Sequence, residues 1–142
     1  MTLKIDNGKP IYKNEVILKN IKPQRLAFNF SFISKDKKYS YYGNSMQKAD
    51  KISLLSKMMI LSEDDFTIIM NRHRDQGLER LDELEGQMHI HPDFVSSKRF
   101  DKCLDGFWVF RLGGKKGRVI GKIYKTTFYV LGIDTSFSAY KH

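Results

Sequence analysis

At 142 residues, with 41% apolar and 29% charged side chains and only 3 Pro, the chain is long enough to bury one core unaided, and its composition excludes a disordered or collagen-like polymer. The single cysteine, Cys103, excludes an intrachain disulfide and a multi-cysteine zinc site. No apolar run reaches the roughly 18 to 20 residues of a membrane span, and Asp6 falls where a signal peptide needs an apolar core, so a cytoplasmic location is expected.

Residues 1–23 read as an N-terminal extension with a short strand around Val16-Ile17-Leu18, set off by Pro10 and Pro23. Residues 28–34 alternate aromatic and small polar types at period two, which predicts a strand with one buried face. A polar connection follows through Asn44. From Ser45 the period becomes helical: Ile52, Leu55, Met58, Met59 and Leu61 predict a helix whose Met-rich stripe packs on a sheet. Ser62 is placed as the N-cap of a second helix, with Asp65 at the capping-box position and Phe66, Ile69 and Met70 on one side, ending at Gly77 or Leu81.

Met88 to His91 reads as a short strand stopped by Pro92, followed by a polar segment. From Gly106 three runs, 107–112, 118–124 and 127–133, are rich in β-branched and aromatic residues with short links between them, the pattern of an antiparallel meander. The expectation is one α+β domain over 1–142 with its core from residue 24. A meander of three to four antiparallel strands carries the helix pair on one face, and the other face is left open for its basic residues.

Charge points to the partner. The 25 Lys+Arg against 16 Asp+Glu give +9, and residues 95–142 alone hold ten basic and three acidic side chains. Each phosphate such a surface neutralises releases condensed counterions, so RNA or DNA is the first candidate. Arg111, Lys115, Lys116, Arg118, Lys122 and Lys125 are interleaved with Trp108, Tyr124, Phe128 and Tyr129, which is what holding a phosphate backbone and stacking on unpaired bases require. His89 and His91 admit two functional readings: general bases, or metal ligands together with Asp93 or His142. Cys103 has no neighbouring base in sequence and reads as inert filling.

The stretch from Gly106 onward resembles the RelE/ParE superfamily of bacterial toxins, nearest its RelE and YoeB-type ribonucleases. The residues that carry the likeness are Gly106, Trp108, Arg111, Arg118-Val119-Ile120, the run 129–133 and the tail Tyr140-Lys141-His142. The resemblance implies a RelE-like fold and metal- and cofactor-independent cleavage of mRNA, typically on the ribosome, by attack of a ribose 2′-hydroxyl on the adjacent phosphate. It implies Arg118 as the phosphate-stabilising residue with Arg111 second, Tyr140 and His142 as acid and aligning group, and His91 as a base. Lys115, Lys116, Lys122, Lys125, Trp108 and Tyr124 are then the RNA contacts, and a small acidic antitoxin neutralises the protein. Family toxins are commonly shorter; this chain adds the N-terminal extension and an insertion at 79–105. A non-catalytic nucleic-acid-binding or anti-defence protein of a mobile element is the alternative, and a protein-binding inhibitor the third reading.

Overall fold

The computed structural model describes residues 24–43, 45–84, 86, 88–113 and 117–139. The expected strand at Val16-Ile17-Leu18 and the candidates Lys115, Lys116, Tyr140 and His142 lie outside the described residues. The three C-terminal runs form strands within a residue of their expected bounds: β3 (Phe107–Arg111), β4 (Arg118–Tyr124) and β5 (Thr127–Asp134). They pair antiparallel in sequence order, as their short links require.

Two further strands make the sheet larger than the expected three to four, and not wholly antiparallel. β1 (Ala27–Asn29) lies parallel to β5, and β2 (Glu79–Leu81) antiparallel to β3, giving the order β1-β5-β4-β3-β2. The parallel pair is possible because β1 and β5 are joined through most of the chain and not by a hairpin. β1 is shorter than the alternation from residue 28 predicts: the Asn29 side chain accepts the Ser31 amide at 2.8 Å, and this Asx turn ends the strand. β2 is a three-residue edge strand, Glu-Arg-Leu, with no pattern to announce it. The strand expected at Met88–His91 is irregular backbone.

Two helices follow β1, as expected: α1 (Lys48–Ser62) and α2 (Phe66–Asn71). The Asp50 carboxylate accepts the Gln47 amide at 2.9 Å at the start of α1. Ser62 does not cap α2, because its hydroxyl donates back to the Met58 carbonyl at 2.8 Å inside α1. Asp65 takes that role, its side chain accepting from the Thr67 amide.

Leu54 and Leu61 of α1 and Ile69 of α2 pack on Phe110, Val119, Ile123, Phe128, Val130 and Ile133, so the helix pair covers one face of the sheet. The apolar stripe is rotated from its expected position. Ile52, Leu55 and Met59 are 61%, 61% and 59% exposed, and Leu54 and Leu61, with Met58 partly buried beside them, face the sheet.

The second face is not open. Tyr39, Met88, Phe94 and Ala139 close over Phe107, Val109, Ile120 and Leu131. Phe94 comes from α3 (Pro92–Ser96), and α4 (Arg99–Lys102) follows it. Pro92 opens α3, where its fixed φ suits the first turn and its missing N–H costs nothing. The central strands are therefore buried on both faces, which explains their near-continuous apolar sequence. Among the described residues no helix is long and apolar enough to cross a membrane.

Candidate nucleic-acid interface and reaction centre

Strand register brings Arg111, Arg118 and Asp134 into one row, since Arg118 is opposite Arg111 on β3 and opposite Asp134 on β5. Directly opposed residues share a face of the sheet. Gly117 precedes Arg118 with φ +132°, and a Cβ there would press on the Asp134 carbonyl and on Thr135, so this turn into β4 requires glycine. The Arg118 guanidinium lies 5.1 Å from the centre of the Phe137 ring, and its Nη1 donates to the Gly117 carbonyl at 3.1 Å. Its Nε is buried and has no hydrogen-bond partner among the described residues. No described carboxylate is ion-paired with it.

Asp134 is fully buried. Its Oδ1 accepts from the Ser136 amide at 3.1 Å and the Ser136 hydroxyl at 3.0 Å, and its Oδ2 from the Ala139 amide at 2.8 Å. The Ser136 and Ser138 hydroxyls are 2.8 Å apart, and Ser138 Oγ is 2.8 Å from the Tyr39 hydroxyl. A continuous chain of hydrogen bonds thus runs from Asp134 to Tyr39 and fixes the backbone through Ala139, one residue before Tyr140. The sequence signal for it was an acid followed two residues on by a serine, Asp134-Thr135-Ser136, an Asx-turn pattern at a strand end; nothing in the sequence connects Tyr39 to it.

Arg111 is placed differently from Arg118. It is ion-paired with Asp75 and lies 3.8 Å from Glu79, so its charge is already matched and a phosphate at Arg111 competes with two carboxylates. Lys57 joins this network through the Asp75 carbonyl at 3.2 Å. Burial, and next the Arg72 charge, push the Lys57 ammonium below its ordinary pKa.

Of the other RNA-contact candidates, Lys125 and Tyr124 sit at the exposed β4–β5 turn, with the Lys125 ammonium 5.5 Å from the Tyr124 ring centre. Trp108 is partly buried and packs against the helix-covered core. Lys122 is only 4% exposed. Its Nζ donates to the carbonyls of Gly106 at 2.7 Å and Leu104 at 3.2 Å and lies 4.6 Å and 5.1 Å from the ring centres of Phe100 and Phe107. It is a structural cation and not a phosphate contact; strand alternation alone does not separate the two.

Burial lowers the Lys122 pKa from its ordinary value of 10.5. The unfolded chain therefore holds this proton more tightly than the folded one, and the penalty on folding is fully present at neutral pH and relieved as pH rises toward 10.5. Lys122→Met is expected to cost about 1–3 kcal/mol at pH 7 by orphaning two carbonyls. In denaturant unfolding, the stability gap between wild type and this variant should widen as pH rises from about 7 toward 10.5; a gap that narrows contradicts the assignment.

His91 is a helix cap: its Nδ1 accepts the Asp93 amide at 3.1 Å, and its ring meets Phe32 edge-on. His89 is exposed on irregular backbone, so the two do not share a strand face. Among the described residues no three His, Cys, Asp or Glu side chains are grouped to hold a metal ion. Burial raises the Cys103 pKa despite the Lys122 charge beside it, which disfavours the nucleophilic thiolate. The chain matches no family model, no curated protein and no solved structure.

Proposed function

We propose that this protein is an RNA-cleaving toxin with a RelE-like arrangement, acting without a metal; parallel assays on free RNA and on translating ribosomes distinguish ribosome-dependent from independent cleavage. The observation that carries the reading is Arg118: a guanidinium without a described carboxylate partner, held at a strand start opposite Asp134, whose hydrogen bonds run on through Ser136 and Ser138 to Tyr39. In the proposed reaction the ribose 2′-hydroxyl gives its proton to a solvent water as its oxygen bonds to the adjacent phosphorus, and the P–O5′ bond breaks as the leaving oxygen takes a proton from the acid group. The products are a 2′,3′-cyclic phosphate and a 5′-hydroxyl. Arg118 stabilises the extra negative charge at phosphorus, for which its planar, permanently charged fork is suited. Tyr140 and His142 serve as acid and aligning group in this reading.

Expression of the chain is expected to arrest growth and shorten cellular mRNA, and co-expression of the neighbouring open reading frame to restore both. Growth without RNA loss, accompanied by salt-sensitive RNA binding, would instead establish the non-catalytic nucleic-acid-binding reading. That second reading is favoured by the carboxylate pairing of Arg111 and by the covered second face of the sheet.

The neutralising partner is proposed to be a small acidic protein whose helix lies on the outward face of α1. Ile52, Leu55, Met59 and Ile60 form an exposed apolar stripe there, the kind of face on which a partner helix docks. Leu55→Glu with Met59→Glu should abolish the complex with the neighbouring gene product while changing stability by no more than about 0.5 kcal/mol, as expected of exposed positions. A complex that survives both changes rejects this surface, and a wild type that self-associates through it assigns the stripe to a second copy.

A further inference from the structure

We infer that the groove between α4 and the β4–β5 hairpin is a binding site for one nucleotide unit of single-stranded RNA, separate from the Arg118 centre. It extends the RNA-binding part of the proposed function and rests on that part, but on no cleavage step. The cavity has a volume of about 270 Å³ and is lined by Ser97, Arg99, Lys102, Tyr124 and Tyr129. Two cations, two phenols and a hydroxyl converge there without a carboxylate. Neither Arg99 nor Lys102 is ion-paired with any described carboxylate, so no internal anion has to be displaced before a ligand phosphate binds.

The cavity is also preorganised. The Arg99 guanidinium lies 4.8 Å from the centre of the Phe32 ring, and Phe32 is itself wedged against Phe94 and Tyr129 at centroid distances of 5.4 Å and 5.9 Å. The apolar backing holds the guanidinium over the groove and lowers the entropy lost when it grips an anion. Lys98, in the left-handed region at φ 62°, makes the sharp turn between α3 and α4 that swings Arg99 and Lys102 toward the hairpin. Tyr124, 37% exposed, offers a flat aromatic surface at the rim. Cations for a phosphate beside an aromatic platform for a base are the two halves of single-strand recognition. A space of this size can seat one nucleotide.

Tyr124 is six residues along β4 from Arg118, roughly 20 Å at strand rise, so this site and the Arg118 centre do not share a phosphate. Arg99 and Lys102 come from the 79–105 insertion, the part of the chain that the RelE-type resemblance does not account for.

The test is an amide-resolved NMR titration of the full chain with uridine monophosphate, adenosine monophosphate, inorganic phosphate and uridine. Both nucleotides are expected to shift the amides of residues 97–102 and 124–129 saturably, with dissociation constants on the order of millimolar. Inorganic phosphate should bind more weakly and uridine should leave these amides unmoved. Arg99→Gln with Lys102→Gln should weaken nucleotide binding at least about tenfold, and Tyr124→Ser at least about fivefold with phosphate affinity unchanged. Arg118→Ala should bind as wild type does. Absence of a saturable shift at these amides, equal affinity for phosphate and nucleotides, or unchanged affinity in a folded double variant overturns the inference. A wild type that binds nucleotides here yet never cleaves RNA removes the cleavage reading alone; one that cleaves RNA while the double variant keeps full affinity removes this site alone.

Discussion

Arg118→Ala is expected to lower the rate of RNA cleavage by about 10²–10³-fold, the usual cost of removing one preorganised donor from a developing anion. The expected structural cost is small. Arg118 donates one hydrogen bond to its neighbour's carbonyl and stacks on Phe137, so stability should fall by about 1 kcal/mol. Arg118→Lys keeps the charge and loses the planar fork, and should recover only a minor part of the rate. Arg111→Ala is the informative contrast: its guanidinium is committed to Asp75 and Glu79, so its removal should cost stability more than cleavage. Cleavage is to be followed by end-labelled RNA on gels, with and without translating ribosomes. Equal rates for wild type and Arg118→Ala would falsify the assignment of the reaction centre, whatever the wild-type rate.

The C-terminal meander was legible because β3, β4 and β5 are buried on both faces and joined by short links, so composition and spacing agree. α1 was legible as a helix but not in its orientation: seven apolar side chains between Ile52 and Leu61 leave two faces that can each meet a sheet. Only the folded structure distinguishes Leu54 and Leu61, which meet it, from Ile52, Leu55 and Met59, which do not. The covering of the second face is not legible in the sequence for a related reason. Residues 93–105 read as polar, yet one aromatic, Phe94, buried by a five-residue helix, anchors that segment to the sheet.

At the site, local pattern located Arg118 but did not separate three kinds of strand cation: Arg118 without a described ion pair, Arg111 held by two acids, and Lys122 buried under Phe100 and Phe107. That distinction depends on contacts far apart in sequence, such as Asp75 with Arg111 and Leu104 with Lys122. Period-two alternation carries no information about them. The same holds for Tyr39, which reaches Ser138 from the other end of the chain.

Asp134→Asn is expected to destabilise the protein by about 3 kcal/mol, a fall of about 10 °C in Tm. The change is nearly isosteric, so its cost is a matter of donors and acceptors and not of volume. Both carboxylate oxygens of Asp134 accept hydrogen bonds, one from the amide and hydroxyl of Ser136 and the other from the Ala139 amide. An asparagine must turn its NH₂ group toward one of these sides, where it confronts a backbone donor at a fully buried position. Ser138→Ala is the milder companion: it deletes the link between Ser136 and Tyr39, and should cost about 1 kcal/mol. If the network positions the segment leading into Tyr140, Ser138→Ala should slow RNA cleavage while leaving nucleotide binding at the Arg99 groove intact. Thermal unfolding of the two variants separates these effects, because a corner that serves only stability predicts cleavage rates that track the folded fraction.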